Sequence, residues 1–248
     1  MNLGFENKVI IVSGGARGIG EGIVKTLLEE KAIPVVIDLR PSTIQGVTTI
    51  NADLTNPEAC EKAIKQIVEQ FGTIHGLVNN AGVNDGVNLE QGNYESFMQS
   101  IHKNLVHYYL LAHHALPYLK TNKGSIVNIS SKTAETGQGG TSAYAAANGG
   151  RNALTREWAV ELLAYGIRVN SVVVAECYTP MYQEWIQTQN NPTEKLASIQ
   201  KNIPLGNRFT TPEEIGQTVC FLLSEKSSHT TGQIVHVDGG YVHLDRAL

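Results

Sequence analysis

The chain is short of the features that mark several protein classes. Its three cysteines, Cys60, Cys177 and Cys220, are scattered through 248 residues, odd in number and without the paired spacing of a disulfide framework or a zinc site. No apolar run approaches the roughly 20 residues that a membrane span requires. The opening segment 1–8 is polar and lacks the apolar centre of a signal peptide, so a reducing cytoplasm is the expected setting. Charge is also sparse. Lys and Arg total 19 against 23 Asp and Glu, a formal net charge of -4, and no basic cluster offers an electrostatic footprint for nucleic acid. Neither nucleic acid nor a membrane is an expected partner. Hydrophobic residues make up 42% and charged residues 17%, enough for a large core and too little charge for a disordered chain.

What is present is an alternation. Apolar runs of strand length at 8–13, 33–38, 47–51, 74–79, 125–130, 167–173 and 233–237 are separated by stretches at 19–30, 57–71, 94–119, 142–164 and 212–223. In these stretches apolar residues recur three and four apart, the helical period. Such a pattern predicts repeated βαβ units: a single-domain Rossmann-type, doubly wound parallel sheet of seven strands with helices on both faces. Asn56-Pro57 and Thr211-Pro212 have the N-cap and first-turn chemistry that starts a helix. Only 176–210, with Pro180, Pro192 and Pro204, lacks a crisp period, and it is expected to form a substrate lid. No repeat or linker divides 1–248.

In a doubly wound sheet, ligands bind beyond the carboxyl ends of the strands, and there the sequence concentrates its chemistry. Directly after the first strand stand Gly14, Arg17, Gly18, Ile19 and Gly20. Glycines permit a tight turn and close backbone approach, while the first-turn N–H groups of the following helix favour a pyrophosphate. Asp38 ends the second strand, placed to accept hydrogen bonds from ribose hydroxyls and to repel a 2′-phosphate. That favours NAD over NADP. Arg17 and Arg40 pull toward NADP because a guanidinium can hold the extra phosphate, unless both are solvated surface cations. Asp53 either receives the adenine amino group or serves its own turn with Thr55 and Asn56. Asn79, Ala81 and Gly82 close the fourth strand with small residues suited to a cofactor floor.

These pieces, with Asn104 in a helix, Ser131 after the fifth strand, Tyr144 thirteen residues later and Asp238-Gly239-Gly240 after the last strand, resemble the short-chain dehydrogenase/reductase family along the whole chain. The resemblance implies an NAD(P)-dependent oxidoreductase in which Tyr144 transfers the proton, Ser131 holds the substrate oxygen, Asn104 anchors a relay water and Thr179 meets the cofactor amide. It also implies a homotetramer. One position departs from the family. Where a lysine is usual, four residues after the tyrosine, stands Asn148, which can hydrogen-bond but carries no charge. Slowed turnover, or a nucleotide-binding protein without turnover, is one expectation that follows.

Several blocks look more closely like bacterial L-fucose and related aldose dehydrogenases, among them Gly82-Val83-Asn84-Asp85-Gly86, Ser131-Lys132-Thr133-Ala134 and the tail 239–248. They imply oxidation of a sugar at its anomeric carbon to a lactone, with a carbonyl reductase of sugar-acid breakdown as the alternative. The loops expected at the mouth carry Asn84, Asp85, Glu135, Gln138, Glu176 and Trp185, a polar and aromatic set that suits a polyol better than an acyl chain or steroid. His113 and His114 lie in an apolar helical stretch, and no metal is assigned.

Overall fold

In the computed structural model, which describes residues 2–244, the strands are Val9–Ser13 (β1), Ile33–Asp38 (β2), Thr48–Asn51 (β3), Gly76–Asn79 (β4), Ser125–Ser131 (β5), Arg168–Val174 (β6) and Ile234–Val237 (β7). All pair in parallel in the order β3-β2-β1-β4-β5-β6-β7. β1 is an inner strand beside the central β4, with Val9 opposite Ile33 on one side and Ile10 opposite Gly76 on the other. Strand order therefore reverses between β1 and β4, the place where such sheets open a binding crevice. β1 and β4 are buried along their whole length, as a parallel sheet covered on both faces requires.

The helices are Gly18–Glu29 (α1), Pro57–Phe71 (α2), Tyr94–Ile101 (α3), His107–Asn122 (α4), Ser142–Glu161 (α5), Pro180–Ile186 (α6), Pro192–Lys201 (α7) and Pro212–Leu223 (α8). α1 and α8 pack on one face around Ile10, Val12, Ile23, Leu27 and Val219. α2, α4 and α5 cover the other around Ile11, Leu77, Leu111, Leu119 and Trp158. The Asn56 side chain accepts from the N–H groups of Glu58 and Ala59. Thr211 and Glu214 form a reciprocal capping box, so both expected starts are in place.

Three expectations need correction. The predicted helix over 94–119 is interrupted by a π-turn at His102–Val106, which carries Asn104 and frees its carbonyl from the regular helical ladder. The segment 176–210 is not irregular: Pro180 and Pro192 begin α6 and α7 instead of breaking them, because proline at the first helical position removes an N–H that has no partner there anyway. The helix predicted to reach 164 ends at Glu161 and passes into a 3-10 turn, Leu163–Tyr165.

The three cysteines are buried, and desolvation pushes the thiol of Cys60 up to about 11 and those of Cys177 and Cys220 up to about 12. At neutral pH they are small core residues, not nucleophiles. His107, 1% exposed, donates from Nε2 to the Lys103 carbonyl, 3.0 Å away. Burial, and secondarily the Arg151 charge, pull its imidazole down to about 3 from an ordinary 6.5. The folded protein thus keeps this ring neutral where the unfolded chain protonates it. Its stability is whole above about pH 6.5 and declines as the pH falls toward about 3, with a limiting slope of about 1.4 kcal/mol per unit. Between pH 7 and 5.5 the wild type is expected to lose roughly 1 kcal/mol more than His107→Gln in urea unfolding; equal losses would show that this ring is not held neutral.

Candidate active site

Beyond the carboxyl end of β1 the chain turns through Gly14 at φ 65 and Gly18 at φ 60, a left-handed backbone that glycine adopts without steric cost. Space is as tight as conformation. A Cβ on Gly14 would lie 2.8 Å from the Ala81 Cα, and one on Gly20 would lie 2.1 Å from the Gly14 carbonyl oxygen. The turn is thereby pressed onto the loop after β4. Ser13 Oγ accepts the N–H groups of Asn80 and Ala81 at 2.9 and 3.2 Å, and Asn80 Nδ2 donates to the carbonyls of Ser13 and Gly14, each at 3.0 Å. α1 begins behind this turn with Arg17 as its N-cap and no side-chain cap, so its first-turn N–H groups, including that of Ile19, stay open for an anion. The cradle fits a dinucleotide pyrophosphate.

Asp38 sits at the end of β2 with Oδ2 accepting the Ala16 N–H at 3.1 Å and Oδ1 the Arg40 N–H at 3.1 Å. Its carboxylate is fixed beside the glycine turn, where an adenosine ribose would lie. Arg17 instead reaches α6 and pairs with Glu184 at 3.2 Å. Asp53 Oδ1 accepts both the N–H and the hydroxyl of Thr55, at 2.9 and 2.7 Å, and these bonds hold its carboxyl below the ordinary range. That oxygen serves its own turn. Asn79 is fully buried and donates to Asn128 Oδ1 and the Tyr108 carbonyl, so it braces the floor from beneath while Ala81 and Gly82 lie above. Thr179 caps α6, and its methyl group would stand 3.4 Å from a Cβ on Gly18. The loop after β6 therefore closes over the glycine turn.

Ser131 ends β5, and its hydroxyl accepts the Thr133 N–H at 3.3 Å. Tyr144 lies half-buried in the first turn of α5. One turn on, Asn148 is fully buried; its Nδ2 donates to the Tyr144 carbonyl at 2.8 Å, and its own carbonyl accepts the Ser130 hydroxyl at 3.3 Å. Asn104 Oδ1 accepts the Val83 N–H at 2.8 Å, tying the π-turn to the loop after β4. Between the two asparagines sits Arg151, 3% exposed. Its Nε donates to the Asn104 carbonyl at 2.7 Å, and Nη1 donates to Asn148 Oδ1 at 2.9 Å and to the Ile129 carbonyl at 3.2 Å. The guanidinium also lies over the Tyr108 ring at 4.4 Å. Sequence reasoning missed Arg151. Its signal was there in the steps of four, three and four through Tyr144, Asn148, Arg151 and Thr155, which put all four on one face of a helix.

The six candidate substrate residues divide. Glu176, 8% exposed, forms a close ion pair with Lys132, and Lys132 lies under the Tyr241 ring at 4.4 Å. Burial and the Glu176 charge push the Tyr182 phenol well above its ordinary value. Trp185 stands edge-on to Tyr182 at 5.1 Å and remains 40% exposed. Glu135 accepts from Asn152 at 3.4 Å and pairs with His236 at 3.1 Å, with His243 at 3.8 Å. Ligating atoms of these three side chains lie within 4.8 Å of one another, an arrangement that the imidazole–carboxylate hydrogen bond already accounts for. Asp85 is committed to Ser100 at 2.7 Å and to Lys103 at 3.8 Å, so it anchors α3 to the mouth. Asn84 turns back onto the Gly86 N–H at 3.3 Å, and Gln138 is exposed on its loop. Of the tail 239–248, residues 245–248 lie outside the described residues.

A family model described as enoyl-(acyl carrier protein) reductase matches residues 14–242. The chain is similar to the L-fucose dehydrogenase of Rattus norvegicus, 32% identical over 244 residues and covering 95% of this chain and 90% of the relative. It is equally similar to the 3-oxoacyl-(acyl-carrier-protein) reductase FabG of Thermotoga maritima, 32% identical over 250 residues with 96% and 99% covered. Among solved structures, the Cj0485 dehydrogenase superposes with a TM-score of 0.96 at 46% identity over 100% of this chain and 99% of the other. The aldohexose dehydrogenase of Thermoplasma acidophilum does so with a TM-score of 0.92 at 28% identity, covering 97% and 96%. A match over that span, with relatives beyond 30% identity along nearly the whole chain, places this protein in the short-chain dehydrogenase/reductase family.

Proposed function

We propose that this protein is an NAD-dependent sugar dehydrogenase that oxidises the anomeric hydroxyl of an L-fucose-like aldose to the lactone. The observation that carries the reading is the buried Lys132–Glu176 ion pair immediately after Ser131. An apolar substrate would leave the remaining ammonium donors and carboxylate lone pairs of this pair without partners, whereas sugar hydroxyls both donate to the carboxylate and accept from the ammonium. Tyr182, Tyr241 and Trp185 add aromatic faces around the pair. Relatives named for L-fucose and aldohexose oxidation support the same substrate class.

The residues divide the work as follows. Gly14, Gly18 and Gly20 let the backbone approach the pyrophosphate, Asp38 receives the ribose hydroxyls, and Ala81 and Gly82 form the floor. A bound nicotinamide ring supplies the hydride acceptor. The Ser131 hydroxyl holds the substrate oxygen while Tyr144 takes its proton, so that the C1–H bond is lost as hydride and the C1–O bond becomes the lactone carbonyl. The segment 176–210, carrying α6 and α7, acts as a lid: Thr179 reaches the glycine turn and Glu184 pairs with Arg17. Fluorescence titration should show NAD binding at least about tenfold more tightly than NADP, and Asp38→Ala should narrow that gap, since one repelled phosphate is worth about 1 kcal/mol or more at close range. Equal affinities would mean that the arginines decide.

A panel of aldoses with NAD tests the substrate directly. L-Fucose or a close stereoisomer is expected to turn over to a lactone, Tyr144→Phe is expected to lower kcat by about 100-fold or more, and Glu176→Gln should raise KM far more than it changes NAD affinity. Turnover confined to ketones or acyl thioesters with NADPH would overturn the reading. Exposed Tyr109, Val160 and Leu163 on α4, α5 and the following turn supply apolar surface for self-association, and we infer a homotetramer. Light scattering at micromolar concentration should give four chains; a monomer would sink the inference.

A further inference from the structure

We propose that Arg151 supplies the fixed positive charge of this catalytic site, held there by Asn104 and Asn148. The inference rests on the dehydrogenase reading and deepens it by assigning a residue to the electrostatics around Tyr144.

The starting point is a charge in an unusual place. Arg151 is 3% exposed, and its short contacts are all to neutral oxygens: the carbonyls of Asn104 and Ile129 and the side-chain Oδ1 of Asn148. Among the described residues no carboxylate lies within ion-pairing distance of it. Buried charges are ordinarily paired, because an isolated ion loses far more on leaving water than neutral dipoles return. A guanidinium cannot escape the cost by losing its proton. Arg151 is therefore charged, and its field is not cancelled by a neighbour.

The surroundings are arranged to keep it so. The π-turn at His102–Val106 presents the Asn104 carbonyl to Nε. Gly82 leaves out a Cβ that would lie 2.8 Å from Arg151 Nη2 and 2.9 Å from Asn104 Oδ1, so the cofactor floor itself makes room for the cation. Asn148 accepts from Arg151 with one end of its amide and donates to the Tyr144 carbonyl with the other. That chain of two hydrogen bonds links the guanidinium to the backbone carbonyl of Tyr144, two helical turns away. The other neighbours are neutral near pH 7: His107 is pulled down to about 3, and the Tyr108 phenol, on which Arg151 stacks, is pushed well above its ordinary value. Of the other ionisable groups around the site, Lys132 lies against Glu176, Asp85 against Lys103, and Glu135 against His236 and His243, while Tyr182 on α6 is buried beside Glu176.

Arg151 thus does electrostatically what Asn148 cannot. A positive charge on the same helix face as Tyr144, joined to it through Asn148, favours proton removal from the substrate hydroxyl. It acts through Asn148 and through space, as a positioning residue, without touching the reacting atoms.

The test compares wild type with Arg151→Gln, Arg151→Lys and the double variant Asn148→Lys with Arg151→Val, which moves the cation one turn closer to Tyr144. Circular dichroism and thermal melting establish folding in each. Two readouts are taken. The first is phenolate formation at position 144 without cofactor, read as the pH-dependent ultraviolet difference between each protein and its Tyr144→Phe counterpart. The second is the pH profile of kcat with NAD and an aldose. Arg151→Gln should move both profiles about one pH unit to the alkaline side and lower neutral-pH kcat about tenfold. Arg151→Lys should stay within a few-fold of wild type, and the double variant should recover most of the loss. A folded Arg151→Gln with unchanged profiles overturns the proposal. So does a double variant that folds yet remains as slow as Arg151→Gln, which would make Arg151 a brace between α5 and the π-turn. If Arg151→Gln does not fold, the lysine and double variants decide alone. Absence of turnover by wild type with every aldose would sink the sugar reading, and the cofactor-free titration would still judge Arg151.

Discussion

A parallel sheet obliges every strand to be followed by a crossover that returns the chain to the same starting edge. All seven strands here run that way, so all their carboxyl ends meet along one edge of the molecule. Ser13, Asp38, Asn79, Ser131, Val174 and Val237 end their strands there, and the glycine turn, the floor at Ala81 and Gly82, and the residues around Glu176 and Thr179 follow within a few positions. The reversal between β1 and β4 parts the crossovers to either side. Residues up to 224 positions apart in the chain, Ser13 and Val237, are thereby gathered along one edge without any local signal that they belong together.

Within that crevice the polar groups constrain one another. Seating a guanidinium among neutral oxygens requires a carbonyl freed by a π-turn, an amide at position 148 oriented by the α5 backbone, and a glycine at 82. Each would be an oddity alone. Together they satisfy the donors of a cation that would otherwise be prohibitively costly to bury. Asparagine at 148 belongs to the same arrangement, because an ammonium at that position would stand beside Arg151 with no anion between them.

On the proposed reading, polarity at the mouth is what selects the substrate. The fold and the proposed Ser131–Tyr144 pair would serve oxidation of an alcohol and reduction of a carbonyl equally well, since the same proton and hydride move in opposite directions. Discrimination must come from the walls. Here an ion pair, Lys132–Glu176, is flanked by tyrosines from α6 and from the turn after β7, a lining that on the proposed reading would reward hydroxyl groups and penalise a hydrocarbon chain.

How much was legible beforehand follows from the range over which each cause acts. Apolar period and capping chemistry are local, so the seven strands, the starts at Pro57 and Pro212, the glycine turn and the carboxylate at Asp38 could be read from residues a few positions apart. The spacing of Ser131 and Tyr144 was equally visible, because a strand end and the next helix start are joined by a short loop. Pro180 and Pro192 show the limit of that reading: proline bars a helix interior but favours a helix start, and only the folded chain shows which applies. The rest depended on distant partners. Asn79 was read together with Ala81 and Gly82 as cofactor floor, and the fold buries its side chain against Asn128 and Tyr108; Asp85 is claimed by Ser100 and Lys103. Arg151 carried a charge into a helix whose buried face the sequence already marked, yet what became of that charge was decided by a carbonyl 47 residues away. Local sequence determined the elements and the order of the strand-end motifs, since backbone propensity and periodicity act over a few residues. Tertiary structure decided which polar groups are desolvated together, because the energy of a buried charge is set by whatever the fold packs around it.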